Sequence, residues 1–86
     1  MSSELKRIRT ESGPRVVEEA NYKGHQIKVA CGYNVRDDNY IVHLYLCPPG
    51  EPEVRVFDPP RSENTLDDAL NHGFFVGMSE VDQLVP

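Results

Sequence analysis

The stretch His25–Cys47, HQIKVACGYNVRDDNYIVHLYLC, decides how this chain folds. Ile27, Val29 and Cys31 alternate with Gln26, Lys28 and Ala30, and a period of two is the signature of a strand with one buried face. Arg36-Asp37-Asp38-Asn39 reads as a turn, because Asp and Asn side chains bond to nearby backbone and tolerate left-handed dihedrals. Tyr40–Cys47 then reads as a second strand. Moving outward, Pro48-Pro49-Gly50-Glu51-Pro52 lacks three backbone donors and cannot continue a ladder, so it is a connection. Val54–Phe57 follows as a third strand, ended by Asp58-Pro59-Pro60.

Thr65-Leu66-Asp67-Asp68 matches a capping box, with a hydroxyl for a free N–H and a carboxylate three residues on. Beyond it Leu66, Ala69, Leu70, Gly73, Phe74, Gly77, Val81 and Leu84 recur at three- and four-residue spacing, which predicts one amphipathic helix. The expected fold class is therefore α+β: a three-stranded antiparallel sheet with one C-terminal helix packed on one face, in the order β-β-β-α.

Strand parity assigns the faces. Ile27, Val29, Val42, Leu44, Leu46, Val54 and Val56 form the set expected beneath the helix, where Gly73 and Gly77 allow close approach. Lys28, Ala30, Ile41, His43, Tyr45, Cys47, Arg55 and Phe57 fall on the opposite face. A single bulge would invert that assignment locally. Apolar atoms are common on any protein surface, and Ile41, Tyr45 and Phe57 can serve cross-strand pairing alone. The alternative is a contact surface, since aromatic residues rimmed by charge often mark one.

Eighty-six residues close one core and exclude two independent domains. Met1–Asn21, with a Gly13-Pro14 break and few apolar anchors, reads as a flexible tail with at most a short edge strand at Val16–Glu19. The domain proper then spans 22–86. No apolar run approaches the 20 or so residues that cross a bilayer, and Met1–Arg9 has no apolar stretch of a secretory signal. A cytoplasmic protein with reduced Cys31 and Cys47 is expected. The net charge of −5 resides in the C-terminal part: 62–86 holds five acidic residues and no Lys or Arg.

For chemistry, His25, His43, Cys31 and Cys47 are ligand types, but no short spacing preorganises a pair, and His43 and Cys31 point to opposite faces. Neither a metal nor another cofactor is expected. No Asp or Asn is placed to orient a Cys-His pair, Asp67 and Asp68 suit the helix dipole, and His72 sits beside the apolar stripe, so no catalytic residue is assigned. Tyr45 and Phe57 beside Lys28 and Arg55 could stack bases on an open sheet. The sequence pI near 5.0 opposes this by repelling phosphate at long range, so a nucleic-acid partner is not expected.

Tyr22-Lys23-Gly24-His25-Gln26-Ile27, then Glu53-Val54-Arg55-Val56-Phe57 and the helix closing at Glu80-Val81-Asp82, resembles a group of small uncharacterised bacterial proteins over Tyr22–Leu84. That resemblance implies the β-β-β-α order and no particular activity. Asp37-Asp38-Asn39-Tyr40 with Thr65-Leu66-Asp67-Asp68-Ala69-Leu70 is similar, more weakly, to the N-terminal domain of HicB-type antitoxins, which implies binding of a basic toxin. The double-stranded-RNA-binding domain shares the strand and helix order, with Asp67-Asp68 replacing its basic helix start. The expected function is a non-catalytic protein-interaction domain. Its surface is Lys28, Ile41, His43, Tyr45, Arg55 and Phe57, and its partner another protein or a second copy. The antitoxin-like and RNA-binding readings are the alternatives.

Overall fold

The computed structural model describes residues 5–85. Six strands precede one helix: β1 (Ile8–Glu11), β2 (Arg15–Tyr22), β3 (His25–Asn34), β4 (Asn39–Cys47), β5 (Val54–Arg55), β6 (Arg61–Glu63) and α1 (Leu66–Leu84). The sheet is antiparallel in the order β1-β2-β3-β4-β5, and β6 also pairs with β4, beyond β5 along the same edge. The α+β class and the single C-terminal helix hold, but the sheet is twice as large as the three strands expected.

The added strands come from places where side-chain pattern is a poor guide. Residues 8–11 and 15–21, expected in the tail, pair as β1 and β2, the latter running on to Tyr22, while residues 1–4 of that tail lie outside the described residues. β2 is no short edge strand; it pairs with β3 over its whole length, from Arg15↔Gly32 to Tyr22↔His25. The two join through Lys23 and Gly24, both at positive φ (52° and 81°), the geometry of a two-residue hairpin turn that matches strand twist. β1 pairs with β2 through a register shift between Arg9 and Glu11. β2 gives a weak periodic signal because a carboxylate, Glu18, occupies one of its inward positions between Val16 and Ala20.

The core lies between the sheet and α1, where Ile27, Val29, Val42, Leu44, Ala69, Leu70, Phe74 and Val81 are buried. α1 starts where Thr65 Oγ1 accepts the Asp68 N–H at 3.1 Å, with Asp67 and Asp68 at the positive end of the helix dipole. A Cβ on Gly73 would stand 2.5 Å from Val29 Cγ1, and one on Gly77 2.8 Å from Ile27 Cγ2, so these glycines set how closely α1 approaches β3. Leu84, expected on the buried stripe, is exposed at the end of α1.

The third strand needs the largest correction. Only Val54 and Arg55 pair as β5, the Val56 N–H reaches Leu44 O at 2.8 Å, and the chain then leaves the ladder. Phe57 turns inward, 2% exposed, with its ring 5.7 Å from that of His72 on α1 and the Arg61 guanidinium 4.7 Å from its centroid. Val54, expected in the core, is 54% exposed instead. The prolines at 52, 59 and 60 keep the strand short, and burying an aromatic ring outweighs continuing the alternation.

Glu18 is a buried carboxylate on the helix side of β2, and two arginines hold it. Arg7 Nε donates to Oε1 at 2.9 Å, while Arg9 Nη2 and Nε donate to Oε2 at 2.8 and 3.0 Å. Arg7 also donates to Asn71 Oδ1 at 2.8 Å and lies 4.6 Å over the Phe74 ring. The N-terminal segment is thereby tied to both β2 and α1.

Candidate functional site

The face of the sheet opposite α1 bears no covering layer among the described residues, and strand register arranges its side chains in rows. Ile8, Glu19, Lys28, Tyr45 and Arg55 form one row, from β1 across to β5. The next contains Glu11, Val17, Ala30 and His43, and the third Arg15, Gly32, Ile41 and Ser62. Five of the six expected surface residues, Lys28, Ile41, His43, Tyr45 and Arg55, therefore share this face. Phe57 does not; it belongs to the core.

The centre of this face is apolar and partly shielded by its own side chains. Val17 and Ala30 are buried, although among the described residues no other element packs over this face. Ile41, His43, Tyr45 and Cys47 are half-buried. The His43 and Tyr45 rings lie 6.4 Å apart and nearly parallel, at 13°. Lys28 Nζ sits 4.9 Å from the Tyr45 centroid while pairing with Glu53 Oε2 at 3.0 Å. Gln26 donates to Glu19 Oε1 at 2.6 Å, and Arg15 meets Glu11 at 3.5 Å.

His43 is the distinctive polar group here. Its Nδ1 is buried and has no hydrogen-bond partner among the described residues. Burial, with the nearby positive charges of Arg15 and Arg55, holds its pKa below the ordinary histidine value and favours the neutral ring. A neutral imidazole nested among apolar groups is suited to a contact made by packing.

The other candidate groups are dispersed. Cys31 lies on the helix side, and burial, reinforced by the Glu18 charge, pushes its thiol up to about 11, which leaves it a poor nucleophile near neutral pH. Cys47 stays on the open face, its thiol donating to Glu51 O at 3.4 Å. His25 is buried at the start of β3, its Nδ1 3.2 Å from Lys23 O. His72 pairs with Glu63 at 3.2 Å on the helix side. Among the described residues no three His, Cys, Asp or Glu side chains gather in a way that could hold a metal ion. No helix there is long and apolar enough to cross a membrane.

Sequence reasoning missed the contribution of β1 and β2, which bring Ile8, Arg15, Val17 and Glu19 to this face. The available signal was the Tyr22-Lys23-Gly24-His25 turn, which implies a strand on each side of it. The chain matches no protein-family model, no curated protein and no solved structure at a significant level.

Proposed function

We infer that this chain is a non-catalytic protein-interaction domain and that the uncovered sheet face is its contact surface. The observation that carries the reading is the cluster Ile41, His43 and Tyr45, half-buried on a face that has no covering layer among the described residues, where the His43 Nδ1 is buried and finds no hydrogen-bond partner. Such a centre, rimmed by Glu19, Lys28 and Arg55, has the make-up of an interface: apolar and aromatic in the middle, charged at the edge. Tyr45 is the natural anchor, a rigid aromatic residue next to two cations.

Affinity capture from native cell lysate tests this, comparing the wild-type chain with Tyr45→Ala and Ile41→Ala. Retention that falls sharply in both variants, with unchanged circular dichroism, supports the surface; equal retention overturns it. The row Lys28, Tyr45, Arg55 also suits base stacking, and salt separates the readings. Binding through phosphate weakens steeply with salt, whereas an apolar contact does not.

A further inference from the structure

We propose that the partner on the open sheet face is a second copy of this chain, packed face to face about a two-fold axis that runs parallel to the strands between β3 and β4. The proposal rests on the reading of this face as a contact surface and adds its occupant. Rotation about such an axis keeps each row in place and reverses the order of the strands. β3 of one copy then faces β4 of the other, and β2 faces β5.

The rows are complementary under that operation. In the first, Glu19 on β2 comes to face Arg55 on the other copy's β5, and Lys28 comes to face Tyr45. The Glu19–Arg55 pair is formed twice, and Lys28, already 4.9 Å from its own Tyr45 ring, gains a second aromatic face. In the second row Ala30 meets His43, and in the third Gly32 meets Ile41. Small residues on β3 thus receive the large residues of β4. A Cβ at Gly32 would have no atom within 4 Å, so open space lies where the Ile41 side chain would enter. A two-fold contact repeats every such pair, which makes one self-complementary row count twice.

The size fits a weak dimer: β2, β3 and β4 hold 8, 10 and 9 residues and β5 only 2, and at a rise of about 3.4 Å and a spacing of about 4.8 Å the three long strands offer a plane of roughly 440 Å², below the about 800 Å² per partner of a standard interface. Two twisted sheets pack in this way, with strands aligned to within about 30°.

Sedimentation equilibrium from micromolar to millimolar concentration tests the proposal, with circular dichroism as a check on folding. The wild-type chain should pass from monomer to dimer. Arg55→Glu and Glu19→Arg should each raise the dimer dissociation constant at least about tenfold, because like charges then face each other twice. The double exchange Glu19→Arg with Arg55→Glu should bring it back to within about threefold, a rescue that a merely local effect of either residue would not give. A wild-type chain that stays monomeric, or a dimer indifferent to the single exchanges, or an exchange that fails to rescue, overturns the two-fold dimer. If the wild type is monomeric yet Tyr45→Ala abolishes capture of another protein from lysate, self-association falls and the contact surface stands. If Tyr45→Ala changes neither association state nor capture, the contact surface itself falls.

Discussion

Val29 and Ile27 stand so close to α1 that glycine is the only residue with room opposite them. A Cβ at position 73 would lie 2.5 and 2.8 Å from the two Val29 methyls, and one at position 77 would lie 2.8 Å from Ile27 Cγ2. Alanine would favour the helix by about 1 kcal/mol, but Val29 is fully buried on a central strand and cannot retreat without moving its neighbours. Overpacking therefore wins: Gly73→Ala should lower unfolding free energy by about 1–3 kcal/mol, measured by urea denaturation. His43 sets a pH dependence at the same scale. Its pKa is lowered on folding, chiefly by burial and then by Arg15 and Arg55, so the unfolded chain takes up the proton first as pH falls. Stability present above the unfolded histidine value of about 6.5 should decline below it, and His43→Gln should flatten urea midpoints between about pH 7.5 and 5.

The segment after β5 and the helix form one packing unit, joined by Phe57, His72, Phe74 and Leu70. Phe57 and Tyr45 share an expected face on strand alternation alone, but their substitutions should now behave oppositely. Phe57→Ala removes a buried ring and should cost about 3 kcal/mol or more, as should Phe74→Ala, whereas Tyr45→Ala should cost about 1 kcal/mol, seen as the order of thermal melting points. The far end of α1 is held differently. Asp82 Oδ1 accepts from Tyr22 OH at 2.9 Å and Lys23 Nζ at 2.7 Å, tying the helix to the turn between β2 and β3. These bonds hold the Asp82 carboxyl below its usual value, so their small stabilisation is present above about pH 4 and lost as pH falls further. In Asp82→Asn the acid limb of the melting curve should be shallower.

At the scale of the whole molecule, the N-terminal strands decide whether the sheet has three central strands or only an edge. β2 pairs with β3 along its full length, and Glu18 buries a carboxylate that Arg7 and Arg9 compensate. Replacing both arginines by alanine should cost about 2 kcal/mol, less than a fully buried pair because the arginines are partly exposed. Hydrogen exchange should show β2 amides protected as long as those of β3; fast exchange throughout residues 15–22 would mean the tail reading was right. The sequence by itself determined what depends on near neighbours: the turn at Arg36–Asn39, the strands around it, the Thr65 cap and the face of α1 that packs inward. Each has a periodic apolar pattern or a local hydrogen bond that needs no distant partner. Tertiary structure alone decided the rest. β1 and β2 are rich in polar residues, and backbone pairing of β1 with β2 and of β2 with β3, together with the Arg7 and Arg9 guanidiniums on Glu18, supplies what their side-chain pattern lacks. Phe57 likewise breaks alternation because the helix offers its ring a buried site that the strand does not, and burial is a property of the assembled layers rather than of any segment.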